Sequence, residues 1–340
     1  MTRTAVVICP GRGTYGKDEL GYLARHHGGR ADLIARFDAI RAQSGQDTVS
    51  ALDGAPRHSV ARYSRGDVAS PLIYACSLLD AQSLANDVEV VAVTGNSMGW
   101  YTALAVAGAL TPEAGFRVVN TMGTLMQQHL IGGQLVYPFL GSDWRDDPGR
   151  KAELLAAVAA IDARGGCDLA LSIDLGGMLV LAGNEAGLAA FEATHPVVDG
   201  RFPMRLANHA AFHTALQAPV AEAGRARLGP DLFGGPARPL IDGRGAIWWP
   251  HASDPGALRD YTLGQQVVAP YDFTAAIRTA AREFAPDLFI VTGPGTTMGG
   301  AVAQSLVLAG WKGMRAKADL KAHPGLVLSM GEPAQRAAIA

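Results

Sequence analysis

Val88 to Leu110, VEVVAVTGNSMGWYTALAVAGAL, is the stretch that most narrows what this chain can become. An apolar, β-branched run from Val88 to Val93 stops at Thr94-Gly95, and a run rich in Ala and Leu follows from Tyr101 to Leu110. That order reads as a buried strand, a tight turn and a helix, with Ser97 at the turn. The spacing Gly95-x-Ser97-x-Gly99 is that of a nucleophile elbow. A sharp strand-to-helix turn lifts the serine hydroxyl clear of the sheet, and small residues two positions to either side let the helix pack close to the strand. The backbone N–H of Met98, at the helix start, then faces a developing oxyanion.

The rest of the chain extends this strand–helix pattern into an α/β fold with a mostly parallel sheet. Its 340 residues suffice for a large domain plus a small one, and 41 glycines with only 18% charged residues suit many strand–helix turns. A net charge near −2 gives no reason to expect nucleic acid as a partner. Three cysteines, Cys9, Cys76 and Cys167, form no C-x-x-C pair, which argues for a reducing, cytoplasmic setting and against structural zinc. Thr4 to Cys9 ends at Pro10 and reads as a first strand, not a signal peptide. No uninterrupted apolar run suggests a membrane span.

Pro10-Gly11-Arg12-Gly13-Thr14-Tyr15-Gly16 follows the first strand, where open α/β sheets place ligands. It lacks the Lys-Ser/Thr of a P-loop and the glycine spacing of a dinucleotide fingerprint, so no nucleotide cofactor is expected. Asp18 to Ser44 reads as a helix, with His26 and His27 solvated, and Thr111-Pro112 starts another with a threonine cap. A segment with its own order comes next. Strands at Gln134–Phe139, Leu169–Ile173, Met178–Ala182 and Phe202–Leu206 interleave with helices at Lys151–Ala160 and Glu185–Thr194. That is βαββαβ, a ferredoxin-like unit, with Leu175-Gly176-Gly177 as its hairpin turn. Residues 1–128 and 207–340 then form a large α/β-hydrolase-like domain, with 129–206 inserted in it and a substrate cleft between the two. Helices at Asp254–Gln266 and Asp272–Phe284 and a last strand at Leu288–Val291 complete the pattern. His209 precedes His213 by four residues, metal-ligand spacing on a helix, but no carboxylate accompanies the pair and no metal is expected. Lys312, Arg315, Lys317 and Lys321 form either a solvated edge or a patch for an acidic carrier or a CoA phosphate.

The order PGRGTYG, GNSMGWYTALAVAGAL, AAFHTALQAPVA and GPGTTMGG resembles malonyl-CoA:acyl carrier protein transacylases and the acyltransferase domains of polyketide synthases. The resemblance covers roughly residues 4–305 and includes LGGMLVLAGNEAGLAAF of the inserted unit. It implies that Ser97 is the acylated nucleophile and His213 the general base and later acid. The histidine would be oriented by the main-chain carbonyl of Gln266, and the backbone N–H groups of Met98 and Arg12 would form the oxyanion hole. Implied partners are acyl-CoA and an acyl carrier protein, in fatty acid or polyketide biosynthesis, with no cofactor and a monomeric chain.

Departures from that pattern surround the implied cleft. Met122 stands where the arginine that pairs with a malonyl carboxylate is usual. An uncompensated carboxylate in a cleft is costly, so a neutral acyl group, acetyl or longer, is expected. Arg117 would point away from Met122 on the same helix, whereas Arg205 or Arg12 could reach in from elsewhere. Arg12 replaces a glutamine, Asn96 a histidine, Trp100 a glutamate and Met178 a glutamine. Phe212 resembles the form that crowds the α-carbon, suggesting an unbranched acyl group. Met122, Asn96, Trp100, Phe212 and Met178 are thus the expected substrate contacts. The alternative activity is a carrier-protein or acyl-CoA thioesterase on the same fold. An unrelated α/β-hydrolase would instead draw on His323 and Asp287, and a non-catalytic homologue is a third reading.

Overall fold

The structure, a computed structural model, describes residues 2–340. Its strands are β1 (Arg3–Cys9), β2 (Val88–Gly95), β3 (Gly133–Pro138), β4 (Leu169–Leu175), β5 (Met178–Gly183), β6 (Met204–Arg205), β7 (Leu240–Ile241), β8 (Ile247–Trp248), β9 (Tyr271–Asp272), β10 (Leu288–Val291) and β11 (Val327–Ser329). Six of them form one sheet in the order β11-β10-β1-β2-β7-β8. Every pairing in it is parallel except β7 with β8. β1 lies at its centre, and Ala5 to Cys9 have no solvent exposure, as expected of a strand covered on both faces. β1 and β2 end side by side at Cys9 and Gly95, so the glycine-rich loop and the serine turn emerge at the same sheet edge.

Helix Pro112–Gln128 starts as its sequence dictates, with Thr111 Oγ1 accepting from Ala114 N–H at 3.1 Å and proline at its first position. It crosses helix Gly66–Ala81 closely: a side chain on Gly123 would collide with the Gly66 carbonyl, and one on Gly66 with that of Gly123. The expected helix from Asp18 to Ser44 is broken into Tyr22–His27, a 3-10 turn at Gly28–Arg30, and Ala31–Gln43. His27 is not solvated at that break. It is buried, its Nε2 2.8 Å from Asp80 Oδ1, and only His26 faces solvent.

The second sheet has the order β6-β3-β5-β4-β9. Its first four strands, with helices Pro148–Asp162 and Glu185–Thr194 between them, give the βαββαβ order and the antiparallel β6-β3-β5-β4 arrangement of a ferredoxin-like unit. Gly176, at φ 62°, turns β4 into β5. The fifth strand was not legible as such. β9, of which only Asp272 was expected to start a helix, pairs parallel with β4 through Ile173–Tyr271 and Asp174–Asp272, and the helix begins at Phe273. The predicted helix Asp254–Gln266 also changes form, running as Pro255–Asp260, a π-helical turn Tyr261–Gln265, and Gln266–Val268.

Candidate active site

Ser97 sits between β2 and helix Gly99–Val106 with φ 55°, the left-handed region that side chains rarely adopt. The flanking glycines have a steric cause. A Cβ on Gly95 would collide with the Gly99 backbone, and one on Gly99 would land on the carbonyl of Cys9. Strand and helix therefore approach as closely as the G-x-S-x-G spacing implied.

Ser97 Oγ lies 2.8 Å from His213 Nε2, and His213 Nδ1 donates to the main-chain carbonyl of Gln266 at 2.7 Å. That carbonyl is free to accept because the chain turns extended at Ala269, and the residue four positions on is Pro270, which has no N–H. Gln266 is itself pinned: its Nε2 donates to the Ser97 carbonyl at 3.1 Å, and Tyr101 Oη donates to its Oε1 at 3.1 Å. His213, also at positive φ (58°), is held by its own N–H to the Val267 carbonyl at 3.1 Å. Burial pushes its pKa down to about 4, and the Gln266 carbonyl opposes that shift. The imidazole is thus neutral at physiological pH. With Nδ1–H committed to a carbonyl, Nε2 presents a lone pair to the serine hydroxyl. Among the described residues, the backbone N–H groups of Met98 and Arg12 donate to no other protein group.

Ser97 opens into a cleft of about 460 Å³, walled by the glycine-rich loop on one side and by β3, β4 and β5 of the second sheet on the other. Arg12, Asn96, Phe212 and Met178 line it. Two other expected contacts do not. Met122 has no exposure, and its sulfur fills the space that a side chain on Gly224 would need. Trp100 is also fully buried, its Nε1 donating to Thr262 Oγ1 at 3.0 Å and its ring edge-on to Tyr261. Both lie on helix faces turned into the large domain, which helical spacing did not reveal. Arg117 is exposed elsewhere, and Arg205 is paired with Glu185 and Glu192 at 3.0 and 2.8 Å. Asp287 is bound to Thr4 at the start of β10, and the histidine beside Ser97 is His213, not His323.

His209 belongs to the cleft in a way that its spacing misrepresented. Residues 208–214 are turns, not helix, so His209 and His213 do not share a helical face. Instead His209 Nδ1 donates to Gln134 Oε1 at 2.7 Å, Gln134 Nε2 to Ser172 Oγ at 2.7 Å, and Ser172 Oγ to the Phe212 carbonyl at 2.8 Å. Burial, and then the charge of Arg12, hold His209 well below its usual range. The available signal was a polar residue inside each of two apolar strands, Gln134 in GQLVYP and Ser172 in LALSIDL.

The fold and this pair define an α/β chain with a serine–histidine couple on a strand–helix elbow, facing an inserted antiparallel unit. The solved structures that it resembles are more particular. An acyl-carrier-protein S-malonyltransferase from Burkholderia pseudomallei 1710b aligns with TM-score 0.74 and 21% identity, over 98% of both chains. The malonyl-CoA:acyl carrier protein transacylase of Xanthomonas oryzae aligns with TM-score 0.75 and 21% identity, over 99% of this chain and 98% of that one. A malonyl-transacylase solved in complex with its type II polyketide synthase acyl-carrier protein aligns with TM-score 0.73 and 19% identity, over 98% and 97%. The chain therefore has the fold of the malonyl-CoA:acyl carrier protein transacylases. In sequence, it is 32% identical over 195 residues to the spectinabilin polyketide synthase system protein NorC of Streptomyces orinoci; the match covers 54% of this chain and 8% of that protein. No family model matches the chain. Among the described residues, no helix is long and apolar enough to cross a membrane.

Proposed function

We propose that the chain is an acyltransferase that moves an acyl group from acyl-CoA to the phosphopantetheine thiol of an acyl carrier protein, by way of an ester on Ser97. The observation that carries this reading is the line Ser97 Oγ, His213 Nε2, His213 Nδ1, Gln266 carbonyl, with links of 2.8 and 2.7 Å. A free serine hydroxyl is a poor nucleophile, and a neutral imidazole at hydrogen-bond distance is the base that activates it. The fold shared with malonyltransferases and the sequence match to a polyketide synthase protein support the choice of thioester donor and carrier acceptor.

Ser97 Oγ attacks the thioester carbonyl as His213 Nε2 takes the hydroxyl proton. The imidazolium that forms is held by the Gln266 carbonyl. The N–H groups of Met98 and Arg12 would stabilise the tetrahedral oxyanion, each contributing about 3 kcal/mol. Collapse breaks the C–S bond, and the departing CoA sulfur leaves with the proton from His213. The carrier thiol then gives its proton to His213 and attacks the serine ester. The second collapse restores the Ser97 hydroxyl and leaves the acyl group on the carrier. Of the substrate contacts expected from sequence, Asn96, Phe212 and Met178 remain for the acyl chain. Met122 and Trp100 are withdrawn.

Brief mixing with acyl-CoA followed by intact-protein mass tests the reading. The expected result is one acyl adduct, absent from Ser97→Ala and discharged by added carrier protein. CoA release without an adduct or carrier acylation would replace the reading with a thioesterase.

A further inference from the structure

The proposed chemistry uses only the main-chain carbonyl of Gln266, and its side chain has no step in it. That side chain is nevertheless buried against the elbow, with Nε2 donating to the Ser97 carbonyl and Oε1 accepting from Tyr101 Oη, each at 3.1 Å. The direction of the amide is fixed by chemistry. A main-chain carbonyl can only accept, so the NH2 group faces Ser97, and the oxygen is left for the phenol, which must donate. Tyr101 is also buried, and burial pushes its hydroxyl up from the ordinary phenol range, so it keeps its proton at physiological pH.

What the amide holds is a whole peptide group. The Ser97 carbonyl and the Met98 N–H lie in one rigid plane and point in opposite directions. Drawing the carbonyl toward Gln266 therefore turns the Met98 N–H away from it, and that N–H donates to no other protein group. Ser97 needs such a hold. Its φ of 55° is sterically costly, and strained backbone persists where its surroundings over-determine it. The same carbonyl accepts the Trp100 N–H at 3.0 Å, so both of its lone pairs are committed. On its other side Gln266 receives His213 Nδ1–H on its own carbonyl at 2.7 Å. One residue thus grips the peptide of the nucleophile with its side chain and the base with its main chain. Tyr101, on the helix Gly99–Val106 that follows the elbow, closes the ring. Gln266 comes directly after the π-helical turn Tyr261–Gln265, a kind of helix distortion that recurs at functional sites.

We propose that Tyr101 and the side chain of Gln266 are positioning residues, which hold the Ser97–Met98 peptide at the angle that serves both attack and oxyanion binding, in register with His213. The proposal rests on the serine–histidine part of the acyltransferase reading and holds whether the acyl acceptor is a carrier thiol or water.

The test uses phenylmethylsulfonyl fluoride, which labels an activated serine whatever acyl group that serine carries in turnover. Ser97 Oγ bonds to the sulfur, the S–F bond breaks, fluoride leaves, and His213 Nε2 takes the hydroxyl proton. Labelling is followed by intact mass in the native protein, Tyr101→Phe, Gln266→Met, the double variant and Gln265→Met. The rate constant is read from the approach to the final labelled fraction, so unfolded protein alters only the amplitude. Gln266→Met keeps the main-chain carbonyl that orients His213. It should slow labelling roughly 50-fold, and Tyr101→Phe roughly 10-fold, the scale of a catalytic group displaced by a fraction of an ångström. The double variant should be no slower than Gln266→Met alone, because both changes act through one chain of bonds. Gln265→Met, exposed on the adjoining turn, should match the native rate. Losses that multiply in the double variant, or an equal loss in Gln265→Met, would mean a general softening of the region and overturn the proposal, as would single variants as fast as the native protein. An unlabelled Ser97 in the native protein would overturn it as well. Failure of the acyltransferase reading is a separate result: Ser97 labels with the fluoride, in the pattern expected of the variants, yet takes no acyl group from malonyl-CoA or acetyl-CoA and passes none to a carrier.

Discussion

In the proposed reaction His213 would enter as a free base, because burial disfavours its protonated form, and this sets the pH response expected of the first half-reaction. Its pKa lies near 4 in place of about 6.5, with desolvation the larger cause and the Gln266 carbonyl opposing it. Acylation of Ser97 should therefore hold level from pH 8 down to about 6 and decline toward an apparent pKa near 4. Single-turnover acylation rates across that range check it, and a decline centred above pH 6 would mean an imidazole open to water. Ser97 was singled out by its strand–turn–helix spacing and His213 and Gln266 only by the family resemblance; the structure brings the three within hydrogen-bond distance. The burial of Met122 and Trp100 was not legible. A helical sequence gives the spacing of its side chains but not which neighbour each face meets, and both residues turned toward the large-domain core.

At the scale of elements, the elbow is built from two close approaches, and each forbids a side chain. A methyl on Gly99 would meet the Cys9 carbonyl, where β1 ends beside β2. Both partners are backbone in the sheet core, so neither can yield cheaply. Gly99→Ala should cost more than about 3 kcal/mol and lower the denaturation midpoint sharply, or leave the protein insoluble. A midpoint within experimental error of the native one would show that the helix can shift along the strand. Most long elements were readable from sequence. β1, β2 and the βαββαβ run carry strong apolar patterning, and helix Glu185–Thr194 has the bounds that its sequence suggested. The exceptions are short or irregular. The π-helical turn at Tyr261–Gln265 has helix-like composition, and β9 is two residues long and pairs with a strand about a hundred residues away. Local pattern cannot report a non-local pairing of that length.

For the molecule as a whole, two histidines, His213 buried and His209 half-buried, link folding to pH with a definite sign. His209 and His213 are both held below the ordinary value of 6.5, by burial in each case. The unfolded chain therefore takes up protons first as pH falls. Their contribution is fully present above about pH 6.5 and is lost on the way down through the folded-state pKa values. Urea midpoints should fall between pH 7 and pH 5, a window in which most carboxylates stay ionised. A flat midpoint there would show that the histidines are not held neutral. The βαββαβ order of the second sheet was visible from strand order, but its fifth strand, from outside residues 129–206, was not. The loop residues that close the cleft, among them Arg201 and His209, were fixed by tertiary packing that no local spacing encodes.

The strand borrowed by the second sheet bears on how such chains can be recombined. β9 pairs with β4, Tyr271 Oη donates to the Gly95 carbonyl at 2.5 Å, and Thr274 Oγ1 donates to Asp174 Oδ1 at 2.6 Å. A chimaera that exchanges only residues 129–206 would carry four strands of five and leave the β4 edge bare. The recipient would have to offer a two-residue strand at the same height, joined to the segment that aims the histidine at the serine. The exchangeable piece is therefore discontinuous in sequence, and a crossover that separates Ile173-Asp174 from Tyr271-Asp272 divides a unit that the fold treats as one.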